Sequence, residues 1–270
     1  MQCQVEWQSA REGFFIFVLS IDIASGELCN LTKTGAVDFW ARQCHSGKVC
    51  GAGAEPPLVS WSSAGHVGRE LVQLRSEEKQ WGIAGLKGKL QRQVEVGNAL
   101  IFATLRLLLV LVAKGGCGYL EAATEASVWS PRPMLALLGL SCTEFVHIDQ
   151  RLLGQSSKKV TGLLLLRFGE VGRALRCIGG SGRCYPDVHP VYRSRGSAVD
   201  FKNASPGLCK VLATGFVDHV VLLHQTRNEL RCCVQVEHVL EEGLQQYWQQ
   251  LDLYSPDTYL EQNVQAGLSG

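Results

Sequence analysis

The chain carries no excess of charge of either sign: 26 Lys and Arg stand against 25 Asp and Glu, leaving +1 at pH 7. A surface built as a whole to grip nucleic acid or anionic lipid shows a strong basic bias, so that mode of binding is excluded, and only a local basic patch remains open. There is also no C-x-x-C pair among the 11 cysteines, which are odd in number and irregularly spaced. A disulfide framework and the usual zinc sites both need paired, regular cysteines. The nearest approaches are Cys44 and His45 with Cys50, and Cys177 and Cys184 with His189. Neither has a zinc spacing, so no metal is expected, and thiols in a reducing compartment are. Residues 1–12 lack the basic start and apolar core of a secretory signal. The apolar runs 14–21 and 99–113 fall short of the roughly 20 residues that cross a bilayer, and Arg106 interrupts the second. These absences lead to an expectation of an intracellular protein without a membrane span, the choice of cytoplasm or nucleus left open.

What is present is a core. Hydrophobic residues make up 46% of the 270 and charged residues 19%, the balance of a globular chain. Residues 14–22 form a continuous apolar run of strand length that ends in the carboxylate of Asp22. A run apolar on both faces suits a parallel sheet covered by helices. Residues 34–43 predict a helix, 48–54 a strand, 62–88 an irregular polar stretch, and 90–114 a long buried helix stopped by Gly115-Gly116. A strand over 117–121, a helix around 133–140 and strands over 144–149 and 163–168 continue the alternation. That order predicts a Rossmann-like, doubly wound α/β domain with a mostly parallel sheet. The domain is truncated at its first strand, because only Ser9-Ala-Arg-Glu-Gly13 stands where a Gly-rich cofactor loop belongs. Residues 169–206 read as loop, 216–224 as a strand, 228–251 as an amphipathic helix and 255–270 as a frayed end. The expected division is a domain over 1–214 and an extension over 215–270.

The stretch from Val49 to Ser62 holds the first chemical clue. A short strand ending in Gly53-Ala54-Glu55 runs into Pro56-Pro57, and paired prolines hold the next side chain in a fixed position. In doubly wound folds ligands bind beyond the carboxyl ends of the strands. Asp22, the Pro56-Pro57 loop and Glu121 all end predicted strands. A carboxylate there takes ribose hydroxyls side by side, or holds a base ring by its exocyclic amine and ring nitrogen. The residue that the prolines deliver, however, is Leu58, which has no chemistry.

The ordered set Ile21-Asp22-Ile23, Asn30-Leu-Thr, Glu55-Pro-Pro-Leu-Val-Ser-Trp-Ser-Ser-Ala64, Gln80-Trp-Gly82, Gln93-Val-Glu-Val-Gly-Asn98, Gly116-Cys-Gly-Tyr-Leu-Glu121, Ile148-Asp-Gln150, Gly154, Lys158-Lys-Val-Thr161 and Ser205-Pro-Gly-Leu-Cys209 resembles a family of methyltransferase-like proteins of algal protists, some carried in retroelement polyproteins. The resemblance covers roughly residues 11–214. Its motif order is similar to that of cytosine-C5 methyltransferases, in which a Pro-Cys thiolate adds to the pyrimidine, a Glu holds the ring nitrogen and S-adenosylmethionine supplies the methyl group. Carried over, the resemblance places Leu58 at the nucleophile, Glu121 at the ring-holding acid and Asp22 at the cofactor ribose, with Gly53 and Pro57 beside the cofactor. The Glu-x-Pro motif has become Glu121-Ala122-Ala123, and Lys-Lys-Pro-Thr has become Lys158-Lys159-Val160-Thr161.

A Leu cannot add to a ring, so the resemblance implies an inactive or degenerate S-adenosylmethionine-dependent methyltransferase-like protein whose cofactor pocket survives in part or is lost. Ser60 or Ser62 with His66 would make a replacement nucleophile and base, although hydroxyls in such a loop more commonly cap the next segment. Two alternatives stay open. One is an active methyltransferase without a covalent intermediate, with Glu55 or Ser60 orienting the acceptor. The other is a non-enzymatic module for nucleic acid or protein, or a mobile-element remnant, resting on Lys158, Lys159, Arg173, Arg176 and Arg183. Lys158-Lys159 reads as a solvated turn ahead of a phosphate contact, Asp149-Gln150 as structural, and Trp61 and Trp81 as core packing before base stacking.

Overall fold

A computed structural model describes residues 5–6, 9–10, 12–13, 16–57, 59–62, 66–67, 70–71, 73–156, 158–181 and 205–226. Leu58, Arg183, Cys184, His189 and the elements expected over 228–251 and 255–270 lie outside them. In chain order the elements are α1 (Thr34–His45), β1 (Gly51–Ala54), β2 (His66–Val67), β3 (Glu70–Leu71), α2 (Gly88–Ala113), β4 (Cys117–Ala123), α3 (Arg132–Leu138), β5 (Thr143–Asp149), β6 (Val160–Leu166), α4 (Gly169–Ser181) and α5 (Pro206–Thr226). β2 and β3 form a short antiparallel ladder of their own.

The main sheet is ordered β1-β4-β6-β5. β1 and β4 are parallel neighbours in register Gly51↔Cys117 to Ala54↔Leu120, joined by the long excursion through α2. β6 is antiparallel to both β4 and β5. The chain is α/β as expected, but the described sheet is mixed, with one parallel pair and two antiparallel ones. Loop length explains the difference. Only residues 150–159 separate β5 from β6, and a parallel return needs a crossover of about a dozen residues or more. β6 therefore turns straight back. It enters the slot between β4 and β5, which the passage through α3 had left one strand apart.

Two helical layers cover the sheet. Leu120 and Ala122 of β4 and Leu164 and Leu166 of β6 face α2 and α3. Cys117 and Tyr119, Leu163 and Leu165 face α4 and α5. Leu163 to Leu166 are all fully buried, which is why the run shows no polar alternation. Burial of each such side chain contributes about 1.5–3 kcal/mol. α2 ends as anticipated, with Gly115 at φ 82° just past its cap. α2 and α5 are both long and apolar enough to cross a membrane by length and composition. Within this fold Ile101, Leu105, Leu108, Leu111 and Val112 of α2 are buried.

Three expected elements are corrected. Residues 16–22 form no strand: Ile16 and Val18 pack toward Val217 and Phe216 of α5, while Phe17 (87%) and Leu19 (70%) are exposed. The run alternates, so it lies on a helix instead of inside the sheet. Residues 169–181, expected as loop, are helix α4. Val171, Ala174, Leu175 and Ile178 recur at i, i+3, i+4 and i+7 and meet the sheet, a period hidden by the surrounding Gly and Arg. Residues 216–224, expected as a strand, belong to α5. The Ser205 hydroxyl caps it by accepting from the Leu208 amide at 3.3 Å, Pro206 sits at the first helical position, and Leu208, Val211, Leu212, Gly215 and His219 are buried at helical spacing. That helix runs without a break through the expected 214/215 boundary.

Candidate functional site

Beyond β1 the backbone leads from Ala54 through Glu55 to Pro56 and Pro57. Continuing the register of β1 and β4 sets Glu55 opposite Glu121. Both lie on the α5 face, with Tyr119 one step down β4, and the Tyr119 hydroxyl donates to Glu55 Oε1 at 3.5 Å. Glu121 is 5% exposed. Burying a carboxylate is costly unless it is paired and hydrogen-bonded. Lys159 Nζ meets its Oε1 at 2.9 Å, and Gln150 Nε2 donates to the same oxygen at 2.8 Å. Glu121 Oε2 is buried with no hydrogen-bond partner.

Gln150 organises this end of the sheet. Its side-chain amide, wholly buried, also donates to Thr161 Oγ1 at 2.8 Å and accepts from the Ser205 amide at 2.9 Å. It thereby ties β4, β6 and the start of α5 to one side chain. Glu55 is exposed as a residue, while its carboxyl reaches the Tyr119 hydroxyl of β4. Burial and, next, the charge of Glu121 push that carboxyl up to about 7, against the pull of Lys159. Burial pushes the Tyr119 hydroxyl up, so it remains a donor.

A second network fixes the chain just after the Pro-Pro loop. Arg75, 6% exposed, donates from Nε to the Ser60 carbonyl at 2.8 Å and from Nη2 to Ser60 Oγ at 2.9 Å. Its Nη1 donates to the Gln80 carbonyl and to Asn98 Oδ1, each at 2.8 Å. The guanidinium lies 3.4 Å over the Trp61 ring, and Trp61 Nε1 donates to the Gly97 carbonyl at 3.2 Å. Burial lowers Arg75 to about 9, which leaves it charged at neutral pH.

These networks decide the fate of each expected residue. Glu121 and the Pro56-Pro57 loop are brought together, through Glu55. Gly53 is exposed, and a Cβ there would collide with the Tyr119 ring, so its bareness serves packing. Asp22 caps a short exposed turn by accepting from the Ala24 amide at 2.8 Å, and no described contact links it to Glu55 or Glu121. Ser60 is buried against Arg75 and is not a free nucleophile. Trp61 is core, and Trp81 stacks on Phe102 with centroids 4.5 Å apart. Cys50 lies before β1, at its opposite end, and burial pushes its thiol up, away from the reactive thiolate. No cluster of three metal-ligating side chains occurs among the described residues. Of the basic residues weighed for a nucleic-acid patch, Lys159 pairs with Glu121, Arg173 with Glu170 at 3.0 Å and Arg176 with Glu144.

Sequence reasoning read Gln150, with Asp149, as structural, and it missed Arg75 as an organiser. An apolar strand running into Asp149-Gln150 was a signal for the first. The second lay in a stretch with no periodicity and left none. No protein-family model, curated protein or solved structure matches this chain.

Proposed function

We propose that the chain is a degenerate methyltransferase-like domain that keeps the base-holding strand ends of a cytosine-C5 type site and has lost the nucleophile. One observation carries this reading. Glu121, Gln150, Lys159, Thr161 and Ser205, drawn from four stretches of the ordered motif set, meet in a single network, and Glu55 reaches Tyr119 beside it. The free Glu121 Oε2 is suited to accept from a ring donor such as an exocyclic amine. The cofactor half fits less well. Asp22 spends its carboxylate on its own turn and the Tyr119 ring fills the space above Gly53, so the described residues form no cradle for S-adenosylmethionine. No step is routed through it.

The full chain should bind a cytosine-bearing single strand, with Glu121→Gln weakening binding about tenfold, the scale of one lost base-edge contact. It should show neither saturable heat with S-adenosylmethionine nor transfer of its methyl group. Failure to bind cytosine overturns the proposal. Saturable cofactor binding with methyl transfer favours a second reading, an active enzyme acting on an amine or oxygen without a covalent intermediate. Glu55 speaks for that reading, because burial and the charge of Glu121 raise its carboxyl to about 7 beside the loop, in the range that suits a general base.

A further inference from the structure

The geometry points to a homodimer contact, in which the extended segment over residues 16–21 pairs antiparallel, edge to edge, with the same segment of a second copy of this chain. This goes beyond the proposed function and needs no ligand.

The segment is a strand without a sheet. From 16 to 22 the chain runs without helix, turn or bend, and Asp22 is itself extended. Ile16 and Val18 pack on Ala213 and Val217 of α5, which anchors one face. On the other face Phe17 is 87% and Leu19 70% exposed, and every residue from Leu19 to Asp22 is open to solvent. Among the described residues, none of 16–21 exchanges a backbone hydrogen bond with another part of the chain. Their N–H and C=O groups are the open row that an edge strand offers to another strand.

These groups select the occupant. Main-chain donors and acceptors in an extended row fit another extended chain. Its side chains must be apolar and uncharged, because residues 14–21 read Phe-Phe-Ile-Phe-Val-Leu-Ser-Ile, with no charge, proline or glycine. Such a run has the composition of segments that pair with copies of themselves. The edges of the main sheet are guarded against that: β1 is only four residues long, and β5 carries Glu144, His147 and Asp149. Nothing guards 16–21. A two-fold axis through Leu19 sets Phe17 opposite the partner copy's Ile21, Val18 opposite its Ser20 and Leu19 opposite itself, and it keeps the two Asp22 carboxylates apart. An aromatic beside a β-branched residue is a favourable cross-strand pair, and a two-fold contact closes at two chains.

Sedimentation and hydrogen exchange of the full chain test the contact. The chain should run as a dimer at about 100 μM and as a monomer at about 0.1 μM, the span around a micromolar contact. The amides of 16–21 should exchange several-fold more slowly in the dimer. Leu19→Lys, at an exposed position, sets two ammonium groups against each other across the two-fold and should leave the chain monomeric at the higher concentration. Its urea midpoint at the lower concentration should match the wild type. Leu135→Lys, at an exposed apolar position of α3, should keep the dimer. A wild-type monomer at the higher concentration, a dimer that survives Leu19→Lys or is lost in Leu135→Lys, or 16–21 amides that exchange as fast in the dimer overturns the proposal. So does a Leu19→Lys monomer with a lowered midpoint, because position 19 would then be covered within one chain.

Discussion

At Gly97 the backbone of α2 comes so close to the Ser60 side chain that a Cβ would collide with its Oγ. Ser60 in turn is pinned by Arg75, whose polar hydrogens go to neutral oxygens of the loop and of α2. A methyl group at position 97 therefore pushes on a clamp with no slack. Gly97→Ala is expected to destabilise the fold by about 1–3 kcal/mol, the ordinary cost of overpacking, as read by urea denaturation. A loss below about 0.5 kcal/mol would mean that Ser60 yields easily. Arg75 has no sequence signature, since its meaning comes from Ser60 and Asn98, 15 and 23 residues away, and from the backbone carbonyl of Gln80. Glu121 is a different case. A carboxylate in an apolar strand is conspicuous in the sequence, whereas its pairing with Lys159 becomes visible only once β6 lies beside β4.

Among the elements, those with strong local signals formed where the pattern placed them. α2 has a long apolar body and a glycine stop, and β4 has a continuous apolar run. Errors arose where a local pattern had two solutions. Phe216 to His224 is rich in Val and Leu, which suits a strand as well as a buried helix, and the capping pair Ser205-Pro206 ten residues earlier decides for helix. In α4 the apolar positions are sparse but correctly spaced, and Leu175 at its centre is wholly buried against the sheet. Leu175→Ala should cost about 2–5 kcal/mol in chemical denaturation, the range for a truncated core leucine. An effect near zero would place α4 off the sheet.

For the whole molecule, pH acts through several groups, among them Glu55, which burial raises, and His219, which burial lowers. Glu55 has an ordinary value of 4.5 and is raised to about 7 in the fold. The native state thus holds that proton more tightly than the unfolded chain. The resulting stabilisation is complete below about 4.5 and is lost as pH rises through about 7. Asp149, lowered chiefly by its hydrogen bond from Arg151, works in the opposite sense and only at lower pH. The Glu55 contribution to the urea midpoint should therefore decline between pH 5 and pH 7.5, with a modest slope because Glu55 is partly exposed, against the opposite contribution of His219, whose imidazole burial lowers. Glu55→Gln should flatten that decline, and an unchanged slope would assign the effect to other groups.

The sequence by itself determined the α/β class, the long helix and the strands of the sheet's middle, because hydrophobic period and glycine or proline stops are local properties. It also singled out the Pro-Pro loop and Glu121. Strand direction belonged to the tertiary structure: the short link after β5 forces β6 to reverse, and only packing shows which slot it fills. The same holds for the site. Whether Asp22 joins Glu121, whether Lys159 faces solvent or a buried carboxylate, and whether Glu55 keeps its proton all depend on which chain segments become neighbours. Electrostatic energy falls off over a few ångströms in space and has no regard for separation along the chain.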